Sequence, residues 1–206
     1  MTTRTIYVVD DDDDVRLSLQ SLLSVLPNTL VWGFRSGDAF LERAEELGPG
    51  VILLDYHMPG STGLDVLKAI QPYGPKFVAV ILTGHGEVSL AVEAMKSGAL
   101  DFLEKPYEHD ALIEVLNSAC GQLEESSEQT ARVNAAKAKI EKLSAREVQV
   151  MHGLIAGRSN KVIAYDLDLS PRTIEIYRAN LMDKLEVTNL SDILRIAFTA
   201  GLVPSA

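Results

Sequence analysis

Three aspartates, a threonine and a lysine, spread over the first half of this chain, have the residue types that phosphoryl transfer needs. Asp10 and Asp11 close a first short apolar run, Asp55 a third, Thr83 a fourth and Lys105 a fifth. If these runs are parallel strands, all five side chains share the rim beyond the carboxyl ends, where open α/β sheets bind ligands. Carboxylates ~4 Å apart repel by about 4 kcal/mol per pair at an effective dielectric of 20, so the cluster calls for a cation. Hard oxygen donors suit Mg²⁺, which keeps several waters and takes only one or two carboxylates. With part of the charge neutralised, Asp55 is placed to act as a nucleophile toward phosphorus and become an aspartyl phosphate. The Lys105 ammonium would then meet the equatorial oxygens, and the Thr83 hydroxyl would donate a hydrogen bond to one of them.

The elements that must position these groups follow from the pattern of apolar residues. Short apolar runs at 6–9, 30–34, 51–54, 78–82 and 101–104 read as strands. Between them Val15, Leu19, Leu22, Leu23 and Leu26 recur at helical spacing, as do Phe40, Ala44 and Leu47, then Leu64, Leu67 and Ile70, then Ala91, Val92 and Met95. Such alternation predicts an α/β domain with a doubly wound, five-stranded parallel sheet of flavodoxin-like form. A fifth helix begins near Glu108 and carries Leu112, Leu116, Ala119 and Leu123. Residues 124–142 are polar and Ala-rich, with Ser126 and Ser127 adjacent, and read as a linker whose helicity is left open.

The remainder reads as four helices without a strand. Ser144 and Glu147 form a capping box, and Val148, Met151, Leu154 and Ile155 share a face before Gly157 stops the helix. Ser159 opens a second helix with Val162, Ile163, Ala164 and Leu167, and Ser170-Pro171 opens a third that runs to about Leu185. A fourth, after Asn189, carries Ile193, Leu194, Ile196, Ala197 and Phe198. The expected organisation is therefore a first domain over 1–123, a linker over 124–142 and a small all-α domain over 143–206.

Four segments of the first domain carry a resemblance. VVDDD at 8–12, LLDYHMPG at 53–60, ILTGHG at 81–86 and DFLEKP at 101–106 are similar to the receiver domain of two-component response regulators. The resemblance implies that Asp10 and Asp11 form the acidic pocket, that Asp55 is the phosphoacceptor and that His57 lends its backbone carbonyl to the metal. It also makes Thr83 and Phe102 a switch pair and Lys105 the phosphate contact. Receivers commonly hold the bond before the proline that follows this lysine in cis, although the sequence leaves the Lys105-Pro106 isomer open. The segment 143–185, with its pieces SNK, IAYDLDLSPRTIE and YRAN, resembles the LuxR-type helix-turn-helix. Over its full length the chain is similar to response regulators of the FixJ type.

The third helix of the second domain also has the chemistry of a groove reader. Ser170, Pro171 and Thr173 place hydroxyl and backbone N–H groups at a helix start suited to a phosphate oxygen. Lys161, Arg172, Arg178 and Lys184 supply charge along the DNA backbone, while Glu175, Ile176 and Ala179 can approach base edges. The chain carries a formal net charge of -10, with 8 Lys and Arg against 18 Asp and Glu in residues 1–120, 4 against 4 in 121–142 and 7 against 7 in 143–206. The acidic first domain would thus oppose DNA binding unless the two parts move relative to one another.

Competing readings of single features are blander. Asp12 to Asp14 read as a helix start, and the run is no EF-hand loop because Val15 and Ser21 stand where glycine and glutamate belong. His57 and His85 read as exposed loop histidines, and Gly60, Gly63, Gly84 and Gly86 as turn residues. Cys120 reads as an ordinary helix residue. No membrane span and no signal sequence is evident, so a cytoplasmic location is expected. The leading expectation is a transcriptional regulator, not an enzyme beyond slow autodephosphorylation, with a sensor histidine kinase, double-stranded DNA and RNA polymerase as partners. Phosphorylation would relieve inhibition and promote a homodimer that activates transcription. The alternatives are a phosphate sink or adaptor without DNA function, a helical protein-interaction module, and a hydrolase.

Overall fold

The computed structural model describes residues 3–84 and 88–203, so His85 and Gly86 lie outside the described residues. The chain divides into two compact units, Met1–Ser127 and Glu128–Ala206. In the first, five strands alternate with helices: β1 Arg4–Val9, α1 Asp13–Ser24, β2 Thr29–Phe34, α2 Gly37–Leu41, β3 Gly50–Asp55, α3 Gly63–Ile70, β4 Phe77–Thr83, α4 Val88–Lys96 and β5 Asp101–Glu104, followed by α5 His109–Glu141, which starts in this unit and continues past Ser127 into the second. The strands form one parallel sheet in the order β2-β1-β3-β4-β5. This is the doubly wound architecture expected from the sequence, with its switch point between β1 and β3.

The alternation of side chains sorts the core into two layers. Tyr7, Val9, Ile52, Leu54, Ala79 and Ile81 face one side with Phe40 and Leu67. Ile6, Val8, Val51, Leu53, Val80 and Leu82 face the other with Leu19 and Leu23 of α1 and Leu112 and Leu116 of α5. Because both faces are covered, β3 and β4 are buried at every position, which explains their unbroken apolar runs. Asp12 caps α1 by accepting from the Asp14 and Val15 backbone N–H groups, so the acidic run starts a helix.

Three departures have simple causes. Phe40, Ala44 and Leu47 are all buried as their spacing requires, but regular helix stops at Leu41. The chain continues in short-range turns, with Arg43 N donating to Phe40 O and Glu46 N to Arg43 O, which keep one face inward without a full α-helix. Gly63 is not merely a turn residue: a Cβ there would lie 2.7 Å from Asp55 O and 2.9 Å from Tyr56 Cα. Its own N–H donates to Tyr56 O, seating α3 against the end of β3. Finally, α5 does not end near 123 but runs on to Glu141, so nearly all of the segment read as a linker is helical.

The second unit holds α6 Ala145–Ile155, α7 Asn160–Leu167, α8 Pro171–Leu185 and α9 Leu190–Thr199. Ser144, Ser159, Ser170 and Asn189 cap them in turn, each accepting a backbone N–H three residues on. Val150, Met151, Leu154, Ile163, Ile174, Leu181 and Ile193 make the core. Val162 and Phe198, which fit the apolar stripes, stand half-exposed instead. One polar residue joins the buried set: Glu147 is 3% exposed, completes the capping box with Ser144 and receives Lys184 Nζ at 2.7 Å.

Burial alone would raise the Glu147 carboxyl, but the hydrogen bonds from Lys184 and Ser144 outweigh it and hold its pKa below the ordinary value. A lowered folded-state value means stabilisation that is complete above the ordinary glutamate pKa and disappears as pH falls through the lowered one. Glu147→Gln is therefore expected to destabilise the second unit by about 1.5–3 kcal/mol at neutral pH. The deficit should shrink in strong acid, which denaturant titrations of both proteins at neutral and acid pH would check.

Candidate functional site

Register brings the chemistry to one rim. Asp10 follows β1 and its N–H donates to Phe34 O; Asp55 ends β3 opposite Leu82; Thr83 ends β4 opposite Glu104; and Lys105 N donates to Thr83 O. At this rim Lys105 Nζ lies 2.8 Å from Asp10 Oδ2 and 2.6 Å from Asp55 Oδ1. Asp10 is 1% exposed and Asp55 8%, whereas Asp11 is open to solvent. The other Asp10 oxygen accepts from Asp12 N, and Arg16 holds the Asp10 carbonyl from α1. The Lys105-Pro106 bond is cis.

These groups perturb one another. Burial pushes the Asp55 carboxyl above its ordinary value; the Lys105 hydrogen bond and charge pull it down, and the charges of Asp10 and Asp11 push it up again. Burial works against the Lys105 ammonium too, but hydrogen bonds to Asp10 and Asp55 outweigh it and leave its pKa raised. Two carboxylates thus face one ammonium with the charge of exposed Asp11 acting on Asp55, and the donor atoms are all hard oxygens, a set that fits Mg²⁺. Among the described residues no group of three or more His, Cys, Asp or Glu is gathered closely enough to hold a metal ion by itself.

Thr83 is buried, while Phe102 on β5 is 40% exposed, and His57 is exposed in the loop after β3. Beside Lys105, a recess of about 550 Å³ opens between Val15, Ser18 and Leu22 of α1 and Tyr107, His109 and Leu112. Arg16 and Tyr107 were not singled out from the sequence. Arg16 is six residues beyond Asp10, close enough for α1 to return it to the Asp10 carbonyl, whereas Tyr107 carries no pattern that marks it.

The second unit sorts its predicted residues differently. Arg172, Glu175, Ile176 and Ala179 are exposed on α8, and Lys161 is exposed on α7. Arg178 is half-buried and donates from Nη1 to Asn160 Oδ1 at 2.6 Å. Two expectations need correction. The Thr173 N–H is not free for a phosphate, because it donates to Ser170 Oγ, which also lies 2.8 Å from Thr173 Oγ1. Lys184 is exposed but is not an unpaired cation, because its ammonium is committed to buried Glu147.

An acidic pocket at the switch point of a doubly wound sheet, followed by a helix-turn-helix unit, defines a two-domain signalling regulator. Residues 6–117 match the response regulator receiver domain, and residues 141–197 match the bacterial regulatory proteins of the luxR family. The chain belongs to the two-component response regulators and is of the FixJ type. It is 46% identical over 204 residues to the transcriptional regulatory protein FixJ of Bradyrhizobium diazoefficiens, covering 98% of this chain and 99% of that one. It is 35% identical to the response regulator protein TmoT of Ectopseudomonas mendocina, covering 93% and 86%. Among solved structures, full-length FixJ from B. japonicum is similar with a TM-score of 0.59 at 46% identity, covering 98% of this chain and 100% of that one. The response regulator StyR gives a TM-score of 0.83 at 31% identity, covering 96% and 99%. No helix among the described residues is long and apolar enough to cross a membrane.

Because the folded-state pKa of Asp55 is raised, its ionised form opposes folding at neutral pH, and the penalty fades as pH drops below the raised value. Asp55→Asn is expected to unfold at a higher temperature than wild type at neutral pH and to lose that advantage at about pH 4. Calorimetry of the two proteins across this range is the check; a lower midpoint for the variant at neutral pH would contradict it.

Proposed function

We propose that this chain is a phosphorylation-controlled transcriptional regulator in which a sensor histidine kinase modifies Asp55 and the modification enables DNA binding. The observation that carries this reading is the convergence of Asp10 and Asp55 on Lys105 Nζ at the switch point of the sheet. An Asp55 carboxylate oxygen attacks the phosphorus of the donor's phosphohistidine; the new P–O bond forms as the P–N bond breaks, and the nitrogen keeps the electron pair. Asp10, Asp11, Asp55 and the His57 backbone carbonyl would hold Mg²⁺, which supplies positive charge against the phosphoryl oxygens. Lys105, already poised between the two carboxylates, turns an N–H of its ammonium to donate to a phosphoryl oxygen.

Thr83 and Phe102 act as the switch pair. The Thr83 hydroxyl donates to a phosphoryl oxygen, and Phe102 leaves its half-exposed position. The surface of α4 and β5, where Val92 and Met95 stay exposed as Phe102 withdraws, supports a homodimer formed on phosphorylation. The acidic charge of the first unit opposes approach to DNA until then. In the dimer, two α8 helices address half-sites about one helical turn apart, with Arg172 and Lys161 on phosphates and Glu175, Ile176 and Ala179 toward bases. Contact with RNA polymerase then activates transcription in the cytoplasm.

Treatment with a small-molecule phosphodonor and Mg²⁺ is expected to add one labile phosphoryl group at Asp55, increase dimerisation and raise promoter affinity. Asp55→Asn should show none of these changes. Mass spectrometry, analytical ultracentrifugation and binding titrations read the three outcomes, and a phosphoryl group on another residue would overturn the assignment. Mg²⁺ alone is expected to raise the thermal midpoint of wild type by mass action. Asp10→Asn should abolish most of that rise, as a thermal-shift titration would reveal.

A further inference from the structure

Ion pairing divides the cations of the second unit into two kinds. Arg158 meets Asp166 at 2.7 Å, Lys184 meets Glu147, Lys139 meets Glu186 and Arg195 meets Asp192. Each of these charges is largely cancelled where it stands. Two arginines instead rest on neutral amide oxygens: Arg146 on Gln149 at 3.0 Å, an exposed pair within one helix, and Arg178 on Asn160, 2.6 Å from Nη1. The Arg178 bond is partly buried and joins the first residue of α7 to the middle of α8, across eighteen residues of sequence.

A guanidinium carries five N–H donors in a rigid plane. Binding one of them to an amide fixes the plane and leaves other donors available, and the full positive charge remains because the anchor is neutral. A carboxylate at the same position would hold the arginine as well but would cancel the charge. The anchored guanidinium lines an open recess of about 470 Å³ together with Arg158, Ser159, Asn160, Lys161 and Leu190. Lys161, one residue beyond Asn160 on α7, brings a second exposed cation to the same recess.

We infer that Asn160 is a positioning residue for DNA binding: it holds Arg178 over this recess so that one backbone phosphate is gripped between α7 and α8. The inference rests on the DNA-binding reading and adds to it a division of labour. Arg178 and Lys161 supply the charge, and Asn160 supplies the order that spares the arginine its loss of freedom on binding.

The test uses the full-length chain treated with phosphodonor and Mg²⁺, and a duplex selected from random DNA by the wild-type protein. Arg178→Ala is expected to weaken binding about tenfold and to reduce the slope of log affinity against log salt by about 0.9, one phosphate contact. Asn160→Ala should weaken binding severalfold with the salt slope unchanged, because the charge is still present but unplaced. The double variant should bind no worse than Arg178→Ala alone, as required if one residue acts through the other. Asn160→Asp should keep the fold, checked by thermal unfolding, yet bind more weakly than Asn160→Ala at low salt.

Wild-type affinity in Asn160→Ala, or a loss that adds in full to that of Arg178→Ala, would overturn the positioning role while leaving DNA binding intact. Failure of the wild-type chain to select any duplex would overturn the DNA-binding reading itself, and the inference with it. Inorganic phosphate provides the remaining arm. If it perturbs the Arg178 side-chain N–H signals while Arg178→Ala retains full DNA affinity, the recess holds a free anion and the inference fails.

Discussion

One ammonium shared by two buried carboxylates sets the terms for the first unit. Lys105 reaches Asp10 and Asp55 together because β1, β3 and β5 run parallel and end at the same level, and that alignment requires a sheet covered on both faces. Removing the ammonium would leave two buried carboxylates uncompensated, a loss that typically costs about 3–5 kcal/mol, so the arrangement persists only where its geometry is held from several sides. Here the restraints are the Asp12 N–H and the Arg16 guanidinium on Asp10, the strand register of Asp55, and the Thr83 carbonyl on the Lys105 N–H. Negative charge remains in excess, and burial raises the Asp55 carboxyl. The site is thereby left with uncompensated negative charge, the condition that favours a divalent cation.

The second unit handles charge in the opposite sense. Its net charge is zero over 143–206, yet its cations are not equivalent. Lys184 is matched by Glu147 across α8 and α6, and Arg158, in the loop before α7, by Asp166, while Arg172 and Lys161 stand exposed and Arg178 rests on an amide. A sum over composition therefore hides the feature that matters, namely which positive charges survive the internal pairing. Glu147 shows the other side of the same rule. It is buried only because the Ser144 backbone and Lys184 satisfy it on arrival.

Legibility from sequence followed the strength of the physical constraint. The strands were readable because β3 and β4 are buried on both faces and tolerate only apolar residues, and the rim residues because each sits one step beyond such a run. Caps were readable at Ser144, Ser159, Ser170 and Asn189 because a side-chain oxygen at that position acts through local geometry alone. Interactions across the sequence were not. Nothing local to Lys184 reveals that Glu147, thirty-seven residues earlier, will claim it, and nothing local to Arg178 reveals Asn160. The helicity of 124–142 stayed open for another reason. Its apolar residues are sparse, with Val133, buried Ala136 and Ile140 the inward ones at helical spacing, and the rest is helical through favourable residues such as Ala, Glu, Gln and Lys.

Gly63 gives the acidic pocket a close-packed wall. On the α3 side, main chain touches main chain with no room for a single methyl group between the helix start and the strand that ends in Asp55. β5, by contrast, is a four-residue strand at the margin of the sheet, with only Leu103 fully inside. Any side chain at position 63 would have to displace the backbone that presents Asp55, so the carboxylate's place at the rim is set in part by an atom that is missing.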